Sequence, residues 1–303
     1  MNRRAAVAGT WYSDNPSRLT DEIDRYLDRA DVPSATGRAR ALIAPHAGLM
    51  YSGPVAAFAY KLLARRSRLP HTHREGGSYG AVVLVGPSHF VPFRGVSIWN
   101  SGAWETPLGP IAVERQLAET IRAESEAIVE LPAAHGREHS LEMQLPFIAR
   151  LLPGVPIVPL VMGYQTRETA FELADALAHA IRRFRNDSNV PNDSNDSNVP
   201  NDSNDSNVLL IASSDLSHYY DADVAARMDA VMIRHIEALD PGGLMTALEE
   251  EPRHACGGGP MVSVLHAARQ LGATEAHVLR YADSGDVSGD KSSVVGYLAA
   301  AVL

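Results

Sequence analysis

Three runs of small and branched apolar residues each break off into a histidine. The first reads Ile43-Ala44-Pro45-His46-Ala47-Gly48, the second Val85-Gly86-Pro87-Ser88-His89, and the third Ala212-Ser213-Ser214-Asp215-Leu216-Ser217-His218. Continuous Ala, Val, Leu and Ile without polar alternation is the pattern of a strand buried on both faces, as in a largely parallel sheet covered by helices. In open α/β sheets, ligands bind outside the carboxyl ends of the strands. Three histidines at three such ends can therefore converge on one crevice.

The rest of the chain supports that architecture. Apolar runs predict strands at 39–44, 81–86, 157–162, 208–212, 277–281 and 293–300. Amphipathic stretches predict helices at 16–29, 53–66, 113–125, 140–152, 167–185, 223–238 and 259–271. Ser140 and Asp223 stand where helix caps are expected. Residues 95–113, with Trp99, Trp104, Pro107 and Gly109, read as a hairpin or loop excursion. Alternating strands and helices indicate an α/β class with helices on both faces of a sheet.

Residues 186–207 are different. They read NDSNVPNDSNDSNVPNDSNDSN, a nine-residue repeat of turn formers with almost no apolar content. Such a segment cannot bury enough surface to offset its ordering entropy, so a disordered inserted loop is expected.

Composition narrows the function classes. A net charge of -9 argues against a broad phosphate-backbone surface, so no nucleic-acid partner is expected. The arginines of Arg182-Arg183-Phe184-Arg185 suit a helix end. One cysteine, Cys256, allows no internal disulfide. There is no signal-peptide core and no apolar run near the ~20 residues a membrane helix needs. The expectation is a soluble, cytoplasmic protein without a membrane partner.

Neutral imidazole is the commonest protein metal ligand. Two histidines and one anionic ligand, with positions left open, is the logic of mononuclear non-haem iron sites. A lone histidine after a strand is more often a hydrogen-bonded loop residue. The repeated strand-end context separates His46, His89 and His218 from the other histidines among the twelve. His71, His73, His179, His235, His254, His266 and His277 are read as ordinary surface or core residues.

Cys256 sits in His254-Ala255-Cys256-Gly257-Gly258-Gly259-Pro260. It is either an inert small hydrophobe or a thiolate favoured by the positive end of the following helix. Both readings stand at this point. In His135-Gly136-Arg137-Glu138-His139-Ser140-Leu141-Glu142, the side chains of His139 and Glu142 share a face if the segment is helical. They could orient a ligand, or simply begin an amphipathic helix.

Taken together, these segments resemble the Memo (mediator of cell motility) family, of the type called AmmeMemoRadiSam system protein B. The resemblance rests on GTWY at 9–12, PHAGLMYSG at 45–53, GPSH at 86–89, TPLG at 106–109, EHSLEMQLPF at 138–147, SSDLSH at 213–218, Cys256-Gly257, DSGDVSGD at 283–290 and VGY at 295–297. It runs nearly end to end. The NDSN repeat is no part of the family pattern.

The resemblance implies one three-layer α/β/α domain over 1–303, with a largely parallel or mixed sheet. The family is similar in fold to the class III (LigB-like) extradiol dioxygenases, which bind Fe(II) through two histidines and a glutamate. By that likeness His46 and His89 match the histidine ligands, and Cys256 falls where the carboxylate would be. His218 corresponds to the acid–base histidine, and Asp215 is another pocket position. Ser214, His139 and Glu142 are expected to contact substrate or support the ligands.

The implied cofactor is one metal ion, Fe(II) or copper, with zinc also compatible with a thiolate ligand. The implied chemistry is metal-dependent redox or oxygen chemistry on a small substrate. The alternatives are a ligand- or phosphopeptide-binding regulatory module and a metal-assisted hydrolase. The family also implies AMMECR-type and radical SAM proteins as partners.

Overall fold

Successive side chains of the central strands point to opposite sides, and both sides are buried. Leu42 and Leu84 enter one core cluster, while Ile43 and Val83 enter the other. That is the period-two geometry of a strand carried to a sheet with two covered faces. The continuous apolar runs are a direct consequence.

The computed structural model describes residues 2–32, 38–64, 79–187 and 207–303. In chain order its elements are α1 (Pro16–Arg29), β1 (Ala41–Ala44), α2 (Leu49–Ala64), β2 (Ala81–Pro87), β3 (Val96–Ile98), β4 (Ala103–Trp104), β5 (Ile111–Ala112), α3 (Arg115–Ala123), β6 (Ile128–Val129), α4 (Pro132–Gly136), α5 (Leu145–Leu151), β7 (Ile157–Met162) and α6 (Arg167–Asp187). Then follow β8 (Val208–Ser213), β9 (His218–Tyr220), α7 (Ala222–Glu237), α8 (Pro241–Glu250), α9 (Gly258–Gln270), β10 (Ala276–Asp283), α10 (Gly285–Ser288) and β11 (Val294–Val302).

The main sheet has the order β10-β11-β1-β8-β2-β7-β3-β6, with β9 paired to β11. Its centre, β1-β8-β2-β7, is parallel. The flanks β11, β10 and β3 run antiparallel to their inner neighbours, so the sheet is mixed. Helices α1, α2 and α5 cover one face, and α3, α6, α7, α8 and α9 cover the other. The result is a three-layer α/β/α architecture, as expected.

The six predicted strands all form. The excursion at 95–113 contains the small antiparallel pair β4–β5, as the turn residues suggest, but also the short strand β3. Strands as brief as β3, β6 and β9 carry too little pattern to be read from sequence.

Three helical expectations need correction. Helix α2 begins at Leu49, a turn before the expected start at Gly53, with Pro54 inside its first turns. The cap of α7 is Asp221, whose carboxylate accepts from Asp223 N–H at 3.0 Å, not Asp223 itself. The predicted helix 140–152 is a 3₁₀ turn at Glu142–Gln144 leading into α5. There Ser140 caps nothing, because its hydroxyl donates to Pro87 O at 3.0 Å.

Of the NDSN segment, residues 188–206 lie outside the described residues, as do His71 and His73. Its ends are anchored. Asn186 and Asp187 finish α6, and Asn207 accepts from Gly80 N–H at 2.7 Å beside the start of β8. Among the described residues, no helix is long and apolar enough to cross a membrane.

Candidate functional site

Strands β1, β8 and β2 are parallel neighbours, in that order, and their registers align their carboxyl ends. Ala44 faces Ser213, and Ala212 faces Val85. The three segments that follow, with His46, Asp215–His218 and His89, therefore leave the sheet side by side. They open into a cleft of about 600 Å³ lined by Trp11, His46, His89, His139, Asp215, His218, Tyr219, Arg253 and Cys256, among others.

Cys256 arrives from the loop before α9. Glycine at 257 permits this, since a Cβ there would lie 2.5 Å from Ser213 O and 2.7 Å from Ser214 Cβ. The loop is tied to the end of β8 by Gly257 N–H to Ser214 Oγ at 3.0 Å and Cys256 N–H to Asp215 O at 3.2 Å. On its other side, Gln165 donates to Cys256 O and accepts from Gly259 N–H, each at 2.7 Å. Gln165 drew no notice in the sequence because nothing local marks it.

Potential ligand atoms of His46, His89 and Cys256 all lie within 4.8 Å of one another. The His46 Nε2 to Cys256 Sγ separation is 3.2 Å. Burial, reinforced by the neighbouring His89, His139 and His218 rings, holds His46 well below its ordinary pKa, so the ring is neutral. Burial, with the Asp215 charge adding to it, pushes the Cys256 thiol up. A neutral imidazole is ready to bind a cation, while a buried thiol ionises most easily when a cation compensates it. The donor set therefore fits one borderline or soft metal ion.

Each histidine is held from behind. His46 Nδ1 lies 3.0 Å from Ser213 Oγ, which also meets Gln144 Nε2 and Ser140 O, both at 2.7 Å. His89 Nδ1 lies 2.9 Å from Glu138 Oε1. The Glu138 carboxylate also accepts from the backbone N–H groups of His89, His139 and Ser140. Burial pushes that carboxyl up, but these bonds, the one from the His89 ring foremost, outweigh it and hold it at about 2. Although His89, Glu138 and His139 also cluster, the Glu138 oxygens already accept four N–H donors. That leaves little capacity for an ion there.

Asp215 is buried at the cleft. Its Oδ1 accepts from His46 N–H at 2.6 Å, so the carboxylate holds the His46 loop. Burial raises its pKa to about 7, against the pull of the His46 and Ala47 N–H groups. His218 donates Nδ1–H to Leu216 O at 2.7 Å, leaving Nε2 free, and burial lowers its pKa. The neighbouring Tyr219 is 76% exposed at the cleft mouth, with φ at 65°. An aromatic residue in the left-handed region is uncommon and strained.

The other expected residues divide. His139 joins the cleft wall, stacked on His89 at 4.5 Å and against Trp11 at 4.3 Å. Burial, with the His89 ring beside it, lowers its pKa to about 4. Ser214 sits behind the wall, donating to Asp215 O and receiving Gly257 N–H. Glu142 lies away from the cleft. Its carboxylate accepts from Arg3 Nη1, Ala6 N–H, Val7 N–H and Tyr12 Oη at 2.7–2.9 Å. The shared helical face with His139 does not form, since His139 precedes the 3₁₀ turn. Glu142 instead pins the N-terminal segment that carries Trp11 to the site.

Fold and site together define an α/β protein with a histidine- and cysteine-lined cleft at the carboxyl edge of its sheet. The family model described as Memo-like protein matches residues 3–193 and 197–301. A MEMO1 family protein of Methanothermobacter thermautotrophicus is 40% identical over 303 residues, covering 98% of this chain and 99% of that relative. Others from Pyrobaculum aerophilum and Sulfolobus acidocaldarius are 36% and 37% identical, covering 97% and 98% of this chain and 96% and 98% of their own lengths. The chain belongs to the Memo-like family.

Proposed function

We propose that this protein is a metal-dependent redox enzyme acting on a small substrate, with one ion held by His46, His89 and Cys256. The observation that carries the reading is the gathering of the three ligand groups, within 4.8 Å, at the floor of an open cleft. Three protein ligands leave positions for substrate, which is the form of a catalytic rather than a structural site. A thiolate beside two imidazoles favours Fe(II) or copper, with zinc next, over hard Mg²⁺ or Ca²⁺. Once bound, such an ion supplies a Lewis acid or an electron-transfer centre.

The chain's own groups then have distinct tasks. His218 holds or accepts a proton at Nε2, its other nitrogen being committed to Leu216 O. Asp215 keeps His46 in place through the backbone. Trp11 and His139 supply flat walls against which substrate is oriented, with Tyr219 at the mouth. The dioxygenase-like fold expected from the family resemblance points to oxygen as the co-substrate. Arg253, the cation that lines the cleft among the described residues, is paired with Glu251 at 2.6 Å, which weakens the case for a phosphopeptide pocket. AMMECR-type and radical SAM proteins remain the partners proposed from family membership.

The test is anaerobic purification followed by metal analysis and oxygen-uptake measurements. Near-stoichiometric iron or copper, lost in His46→Ala, His89→Ala and Cys256→Ser, is the expected result. Zinc in the same pattern would shift the reading to hydrolysis. Folded wild type that takes up no ion sinks the proposal.

A further inference from the structure

The two histidine ligands are held by unlike partners, and the hydrogens of those partners can be counted. Gln144 Oε1 accepts from Tyr60 Oη at 2.9 Å, while its Nε2 donates to Pro45 O at 3.1 Å and Ser213 Oγ at 2.7 Å. The reversed amide would set its oxygen against the Pro45 carbonyl, so this orientation is the consistent one. Ser213 Oγ has a single hydrogen. The Ser140 carbonyl, 2.7 Å away and buried, can only accept. The hydroxyl therefore gives its hydrogen to Ser140 O, and only an acceptor lone pair is left for His46 Nδ1. On the other side, the Glu138 carboxylate can only accept from His89 Nδ1.

We propose that Ser213, fixed by Gln144, and Glu138 are positioning residues that lock His46 and His89 in the Nδ1–H tautomer before any ion arrives. His46 then presents an Nε2 lone pair to Cys256 Sγ, 3.2 Å away, His89 keeps its own Nε2 bare, and no tautomer exchange is needed on binding. A ring nitrogen's role is set by the hydrogen bond its partner nitrogen makes. The two locks differ in kind. A neutral hydroxyl chain running back to the buried Tyr60 holds His46, whereas an anion holds His89 and makes it the more electron-rich ligand. The proposal rests on the metal reading above, but its main test does not need a metal.

The experiment is long-range ¹H–¹⁵N correlation spectroscopy on histidine-labelled, metal-free protein at mildly alkaline pH. Peaks are assigned with His46→Gln and His89→Gln variants. The expected spectrum shows protonated Nδ1 and bare Nε2 at both residues. In Ser213→Ala, only His46 should move toward a tautomer mixture, and Co(II) affinity should fall by about 10–100-fold. A protonated Nε2 at either ring in wild type overturns the lock. So does Ser213→Ala protein that leaves the His46 pattern unchanged, whatever its Co(II) affinity. If the lock is seen but wild type binds no Co(II), iron, copper or zinc, the metal reading fails and the tautomer assignment stands.

Discussion

Buried polar groups do unequal work around this cleft, and Glu142 shows it most clearly. Removing its carboxylate in Glu142→Ala strands the Arg3 guanidinium, which is itself buried and stacked over Trp104 at 4.2 Å. An uncompensated buried charge costs about 3–5 kcal/mol. Urea denaturation should show that loss, and Trp11 emission should shift red as the N-terminal segment loosens. An unshifted emission spectrum would mean that Trp11 is held without Glu142, by the Leu49 N–H on its carbonyl and by its ring contact with His139. The segment Gly9-Thr10-Trp11-Tyr12 stood out in sequence only as part of the family likeness. Its partner, 130 residues away from Tyr12, was not legible.

Among the elements, the loop before α9 and the strand β2 invite contrasting tests. Gly257→Ala puts a Cβ into the Ser213 carbonyl, so the loop must withdraw and take Cys256 with it. Bound metal should be lost while far-ultraviolet circular dichroism stays close to wild type; full metal occupancy would show the loop to be more compliant than its contacts suggest. Leu84, fully buried in β2, tests the sheet instead. Leu84→Ala should cost ~2–5 kcal/mol by urea denaturation through lost burial and the cavity left behind. The strands were readable because two-sided burial writes an unbroken apolar run. The 3₁₀ turn at Glu142–Gln144 was not, because its apolar pattern is also that of a regular helix.

For the molecule as a whole, buried histidines set the acid limit. His135 is enclosed by Trp99 and Trp104, and burial, with the Arg3 charge adding to it, lowers its pKa to about 3. In the unfolded chain the value is near 6.5. Between those values the unfolded state binds more protons than the folded one. Stability is therefore intact above about pH 6.5 and falls as pH drops toward 3, by up to ~1.4 kcal/mol per pH unit for this group. His135→Asn should flatten the decline of urea midpoints between pH 6.5 and 4. An identical slope in wild type and variant would place the acid sensitivity elsewhere, with His46 and His139 the next to examine.

The α/β class, the six main strands, the strand-end histidines and the family follow from local pattern alone. Periodicity and burial are properties of neighbouring residues, and a sequence displays them directly. Strand order is different. That β8 lies between β1 and β2, bringing His46, Asp215 and His89 together, depends on pairings between distant segments. So does the meeting of Cys256 with His46 across 210 positions, and the support of the two rings by Ser213 and Glu138. Those contacts come from packing between segments far apart in the chain, which no local spacing encodes.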